Sequence, residues 1–399
     1  MIDGDTGFGV ANLPYGVFSS AGRAARVGAR LGDTVIDLAA ALDDSIFARP
    51  SLNPFMAQGP GRWAEVRARL TDLVTRDAIP ASARHPLTQV TLHLPIEVAD
   101  YVDFYASEHH ATTLGTLFRP GSAPLPPNWR HLPIGYHGRA GTVVVSGTGI
   151  SRPAGQWLPA PGEPPRFGPS RRLDIEAEVG FVVGVPAPHG KVGTADLADY
   201  VFGAVLVNDW SARDIQAWEY TPLGPFLGKS FATSISPWVV PLAALEHARV
   251  PTPVQQPEPL PYLWETGPSG YDIRMEVVLE DHVISRPPYA QMYWSPAQML
   301  AHMTVNGAGA RTGDLFASGT VSGPDPGQRG ALIELTHGGA NPLILGAQTR
   351  TWLEDGDEVV IRATAPGPGG ETIGFGEVRG RIQPCPASAR TPITEETPR

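Results

Sequence analysis

Residues 173 to 181 read LDIEAEVGF, which sets Glu176 and Glu178 two positions apart in a segment otherwise built of strand-forming apolar residues. In a strand the side chains alternate between faces, so Ile175, Ala177, Val179 and Phe181 share one face and Glu176, Glu178, Gly180 and Val182 the other. Same-face neighbours lie about 6.6 Å apart, and two negative charges at that distance repel by about 2.5 kcal/mol at an effective dielectric of 20. On a wet face the pair is harmless; buried, it requires a cation or a proton. The face continues as Gly180, Val182 and Gly184, where a solvated face would carry Lys, Thr, Gln or Ser, so the pattern favours a site. Asp174 belongs to the same face nearer the strand start, where Arg172 is placed to neutralise it.

A second stretch, VFGAVLVNDWSARDIQAWEYTPLGPFLGKSFATS, is an apolar run that stops at Asn208 and Asp209. A carboxylate at the end of a buried strand is well placed to be a ligand. Ser211 is an expected N-cap, and Arg213, Gln216 and Tyr220 then follow at spacings of three and four, which puts a cation, an amide and a phenol on one helix face. A third stretch, VDFYASEHHATTLGTLFRP, holds Asp103, Tyr105, His109, His110 and Arg119. Histidine has the intrinsic pKa to take a proton from water near neutrality. The carboxylates at 103, 176, 178 and 209 are oxygen ligands that suit Mg²⁺ or Ca²⁺ better than zinc. No HExxH accompanies the histidine pair, no Walker lysine follows the glycine-rich turns, and no GxSxG is present.

The elements that must hold these groups are short. Strand candidates include GTVVVSG, EAEVGFVVGV, VFGAVLVND, DIRMEVVLED and DEVVIRATA, separated by turns drawn from 45 Gly and 42 Pro in 399 residues. Helix candidates are few: WAEVRARLTDLVTRDA near the N-terminus, TADLADY, the segment after Asp209, and SPAQMLAHMTV. Sheet packed on sheet is the architecture such a pattern implies. Residues 1 to about 97 read as a separate small unit, and the last residues, rich in Pro, Thr and Glu, as a loose tail.

A net charge of −10 opposes broad nucleic-acid or anionic-membrane binding, which needs a basic surface. One cysteine, Cys385, excludes an intramolecular disulfide framework. The start MIDGDTGFGV lacks a basic segment followed by an apolar run, so a cytoplasmic protein is expected.

Together the blocks NLPYGVFSS, DFY, LPIGYHGRAGTVVVSGT, LDIEAEVGF, NDWSARDIQAWEY, PLGPFLGKSF, SGT and LEDGDEVVI resemble the fumarylacetoacetase family, over nearly the whole chain. The family hydrolyses a carbon–carbon bond of 4-fumarylacetoacetate to give fumarate and acetoacetate, the last step of tyrosine catabolism. By that resemblance the chain is a mainly β homodimer. The resemblance implies an N-terminal SH3-like barrel over residues 1–97, a catalytic β-sandwich or roll over 98–385 and a tail over 386–399. Asp103, Glu176, Glu178 and Asp209 would hold a Ca²⁺ or Mg²⁺ ion, with Lys229 and Thr233 near a second, structural magnesium. His110 would be the base and Glu334 its orienting partner, with His109 as the competing base. Arg213, Gln216 and Lys229 would stabilise the oxyanion, and Tyr105, Arg119, Tyr136, Gln216, Tyr220 and Thr320 would contact a small diketo-acid substrate. Two other readings compete: a hydrolase or decarboxylase of another diketone or acylpyruvate, and an inactive metal-stabilised binding protein.

Overall fold

The computed structural model describes residues 7–187 and 192–387, so the first six residues and the expected tail from residue 388 onward lie outside the described residues. Among the described residues 26 strands stand against eight α-helices, which makes the chain mainly β. One sheet of 13 strands runs from Arg84–Pro86 through Thr34–Asp37, Arg26–Leu31 and Tyr15–Ser20 into Trp238–Pro241. It continues through Val201–Asp209, Ala177–Val183, Leu315–Ala317, Tyr101–Phe104 and Gly135–His137. A second sheet of five strands contains Arg274–Leu279, Glu358–Pro366 and the long Thr372–Gln383.

Among the described residues the N-terminal strands close no barrel, so the SH3-like barrel expected of them is not confirmed. They extend the central sheet instead, because Tyr15–Ser20 pairs with Arg26–Leu31, with Val90–His93 and, through Tyr15↔Val239 and Gly16↔Trp238, with the large segment. Gly16 makes the junction possible: a Cβ there would lie 2.6 Å from Pro237 O and 2.7 Å from the Trp238 ring.

The central sheet is covered on both faces. Val179, Phe181, Ala204 and Leu206 pack with Val277, Ile361, Phe375 and Val378 of the second sheet, as the alternation in LDIEAEVGF requires. Val182, Val205 and Val207 point the other way, into a cluster with Tyr15, Phe55 and Leu70. Every residue of Ala177–Val183 and Val201–Asp209 is therefore buried, which explains why the second strand reads as a continuous apolar run. Each fully buried Val, Leu or Phe contributes about 1.5–3 kcal/mol, so the strand ends are held firmly and kept dry. Phe181 stacked on Phe316, centroids 5.5 Å apart, locks neighbouring strands together. Among the described residues no helix is long and apolar enough to cross a membrane.

Candidate active site

Four carboxylates meet at these strand ends. Asp209 closes Val201–Asp209, Glu176 and Glu178 stand at the start of Ala177–Val183, and Asp103 lies on Tyr101–Phe104, one strand beyond Leu315–Ala317. All four are buried, and one ligand oxygen from each lies within 4.8 Å of the others. Glu176 is well compensated. Its Oε2 is paired with Lys229 Nζ, which also reaches Asp209 Oδ2 at 2.8 Å, and its Oε1 lies 2.8 Å from Arg213 Nη2. Burial alone would raise its pKa, but Lys229, Arg213 and His110 outweigh burial and hold the carboxyl well below the usual range.

Glu178 and Asp103 are not compensated. Neither oxygen of Glu178 meets a hydrogen-bond donor, and Asp103 Oδ1 has none. Burial first, then the neighbouring carboxylates, pushes both groups well above the usual carboxylate range. Asp209 is also raised by burial, Lys229 opposing and Glu176 reinforcing the shift. Orphaned, converging, hard oxygen atoms are the donor set of Ca²⁺ or Mg²⁺, and a dication there removes both the repulsion and the unpaired acceptors. Thr233 Oγ1 donates to Asp209 Oδ1 at 3.2 Å, and Tyr136 OH to Asp209 Oδ2 at 3.2 Å. Thr233, Lys229 and Asp209 border a smaller adjoining cavity of about 160 Å³.

A neighbouring cavity of about 380 Å³ has Asp103, Glu176 and Lys229 on its lining. The helix Glu108–Phe118 forms one wall; Ser107 caps it by accepting from His110 N at 3.3 Å. Successive helix residues are about 100° apart, so His110, Leu114 and Phe118, spaced by four, share the face on the cavity, and His109 does not. His110 Nδ1 lies 2.8 Å from Glu334 Oε2, which also accepts from Ser322 Oγ at 2.8 Å. His110 Nε2 is 3.8 Å from Glu176 Oε1. His109 is half-buried, and burial, with Arg329, lowers its pKa.

Tyr105, Arg119, Tyr136, Gln216, Tyr220 and Thr320 all line the same cavity. Arg119 is steadied by donating to Pro124 O at 2.7 Å, and the Tyr105 ring meets the His110 ring edge-on with centroids 5.5 Å apart. Of the three residues expected on one face of the helix Arg213–Glu219, Gln216 and Tyr220 line the cavity, whereas Arg213 is buried behind them and donates from Nη1 to Gln216 Oε1 at 3.0 Å.

Two expectations are corrected. Ser211 is no N-cap: it pairs in a short strand with Asp174, its hydroxyl donates to Asp209 O, and Ala212 occupies the cap position. Asp174 is neutralised by Arg213, whose Nε is 2.7 Å away, and not by Arg172. The sequence reading also missed Ser322, which shares Glu334 with His110, and Ser107. Ser107 stands three residues before His110, an N-cap spacing that was readable. Ser322 has no such signal.

A hard-cation cage facing a histidine that is held by its own carboxylate is the equipment of metal-assisted hydrolysis. Known relatives narrow that class. Residues 100–383 match the family described as fumarylacetoacetate hydrolase C-terminal and residues 11–95 the one described as fumarylacetoacetase N-terminal, so the chain belongs to the fumarylacetoacetase family. It is 44% identical to the fumarylacetoacetase of Arabidopsis thaliana across 96% of this chain and 98% of that one. Its identity to the fumarylacetoacetase of Homo sapiens is also 44%, across 96% and 97%. A solved structure of a fumarylacetoacetate hydrolase from Exiguobacterium antarcticum, 16% identical, aligns with a TM-score of 0.57 over 93% of this chain and 99% of that one, which is a likeness of fold.

Proposed function

We propose that this protein hydrolyses the carbon–carbon bond of 4-fumarylacetoacetate to fumarate and acetoacetate in tyrosine catabolism. The observation that carries the reading is 44% identity to proteins named fumarylacetoacetase over nearly the whole chain. The cavity supports it by bringing a base, a set of donors and a cation cage around one space.

Glu334 accepts from His110 Nδ1, which fixes the ring and leaves Nε2 as the basic nitrogen. Nε2 takes a proton from water as the water oxygen bonds to the substrate carbonyl carbon on the fumaryl side, a step in which base catalysis contributes about 10²- to 10⁴-fold. Arg213, Gln216 and Lys229 supply preorganised donors for the tetrahedral oxygen. The carbon–carbon bond then breaks with its electron pair going to the acetoacetate carbon. The His110 imidazolium returns the proton there, and the acyl part leaves as fumarate. An ion held by Asp103, Glu176, Glu178 and Asp209 supplies Lewis-acid stabilisation when bound. Ca²⁺ or Mg²⁺ would fit this donor set, and Lys229 and Thr233 would lie near a second, structural magnesium. Tyr105, Arg119, Tyr136, Tyr220 and Thr320 contact the diketo acid.

The reading includes a cytoplasmic homodimer. Leu223, 95% exposed, and Phe226, 61% exposed, lie on the segment that rims the cavity, an apolar surface that a second copy would cover. The test is a spectrophotometric assay with fumarylacetoacetate, with and without EDTA. Turnover that is lost on chelation is the expected result; turnover only of other diketones, or of none, overturns the reading.

A further inference from the structure

Asp174 is completely buried, yet no step of the hydrolysis uses it. Its carboxylate accepts four hydrogen bonds. Oδ1 receives the backbone N–H of Ile175 and of Leu332, each at 2.7 Å; Oδ2 receives the N–H of Ile333 at 3.1 Å and Nε of Arg213 at 2.7 Å. One side chain thus grips both a guanidinium and the first turn of the helix Leu332–Leu335.

The two things it grips belong to opposite halves of the site. First-turn amides find no partner inside their own helix, and Ala331, at the cap position, offers no side-chain acceptor. Asp174 fills that role from a distant strand, and the turn it fixes carries Glu334, which holds His110 Nδ1 at 2.8 Å. On the other side, the fixed Nε orients a guanidinium whose Nη2 lies 2.8 Å from Glu176 Oε1 and whose Nη1 donates to Gln216 Oε1 at 3.0 Å. Neutralising Arg213 does not by itself require Asp174, since Glu176 already presents a carboxylate to it. A buried ion pair is also weak ground for a purely stabilising role. What the shared carboxylate alone supplies is a fixed separation between the two halves, and catalytic groups tolerate only about 0.5 Å of error.

We propose that Asp174 is a positioning residue for the hydrolysis, setting the distance between the His110–Glu334 pair and the Arg213–Gln216 donors without touching substrate. The inference rests on the functional reading given above. Asp174→Asn keeps the shape but turns an NH₂ toward the donors of Arg213 and Ile333 or of Ile175 and Leu332. The kcat per folded, ion-loaded site is expected to fall about 10²-fold, the cost of roughly 1 Å of misplacement. KM should stay within about threefold and bound ion per chain should be unchanged. In an Arg213→Lys background the same change should cost less than about threefold further, because groups acting as a unit are not additive. A purely structural residue would instead lower the folded yield, leave kcat per folded site intact and add its full effect in both backgrounds.

Asp174→Glu is the second variant: it keeps the charge but displaces it by a methylene, and should remain at least about tenfold below wild type in kcat. Wild-type kcat in either variant, full additivity with Arg213→Lys, or recovery of both variants only as unfolded protein overturns the proposal. Absence of turnover in the wild-type protein overturns the functional reading instead.

Discussion

Glu176 and Glu178 are the same residue type, on the same face, two positions apart, and their electrostatic situations are opposite. Around Glu176 the protein supplies Lys229 and Arg213, and beyond them the Glu334–His110 pair, so that side of the floor is neutralised by its own side chains. Around Glu178 the charges of Asp103, Asp209 and Glu176 outweigh the opposing pull of Lys229, and neither of its oxygens has a hydrogen-bond partner among the described residues. The difference teaches that the strand spacing fixes where a carboxylate points, and the partners arriving from other strands fix whether it is a finished ion pair or a ligand waiting for a cation. One side is preorganised before anything binds. The other, buried and unpaired, calls for a cation or a proton.

The strongest way to break that comparison is to disable each side separately. On the preorganised side, His110→Ala should lower kcat by at least about 10²-fold, with the ion content of the purified protein unchanged. A rate close to wild type would transfer the base to His109. On the cation side, Glu178→Gln should weaken ion binding by about tenfold or more, since affinity follows the charge count of the ligands, and activity should fall with occupancy and recover at high ion concentration. Full occupancy at wild-type affinity would remove Glu178 from the ligand set.

Where the two carboxylates point was readable in the sequence; how they differ was not. Alternation in LDIEAEVGF assigns Val179 and Phe181 to the core and aims Glu176 and Glu178 together, and the three- and four-residue spacings put Arg213, Gln216 and Tyr220 on one helix face, of which Gln216 and Tyr220 line the cavity. Spacing could not say which cations come to Glu176, because Lys229 and Arg213 reach it only once strands far apart in sequence are paired. The same limit explains the error over Asp174, assigned to its sequence neighbour Arg172 when its partners are Arg213 and the amides of 332 and 333. It also applies to the N-terminal unit, where the strand Tyr15–Ser20 and its pairing with Trp238–Pro241, which joins the unit to the central sheet, were not read from the sequence. The preference for His110 over His109 rested on the resemblance alone, and the helix face shared with Leu114 and Phe118 is what puts His110 on the cavity.

The pH response sharpens the comparison further, because the two sides have opposite signs. In ion-free protein, Asp103 and Glu178 have pKa values raised above the unfolded value of about 4, so the stability they contribute is present at acid pH and lost as pH rises through the raised values. Glu176 is depressed, so its contribution is present above the unfolded value and lost only on acidification through the folded value. A bound ion relieves the first pair. The thermal midpoint of EDTA-treated protein should therefore fall relative to ion-loaded protein as pH is raised above the unfolded value of about 4, with the gap widening until the raised values are passed. Calorimetry at a series of pH values measures it; a gap that stays constant or narrows would mean that the cage is compensated without an ion.

The smallest effect tests the cavity wall between the two sides. Thr320 is 1% exposed, lines the cavity, and its Oγ1 has no hydrogen-bond partner among the described residues. A buried hydroxyl without a partner costs about 1–3 kcal/mol, so a protein selected for stability alone has reason to carry Val there. If the hydroxyl serves the substrate, Thr320→Val should raise KM by about two- to tenfold, the worth of one neutral hydrogen bond, while kcat changes little. The thermal midpoint should hold or rise, because the replacement is nearly the same size and removes the unpaired group. Stability and substrate binding moving in opposite directions would identify Thr320 as a residue kept for the ligand; a lower midpoint with unchanged KM would show that its hydroxyl serves the fold.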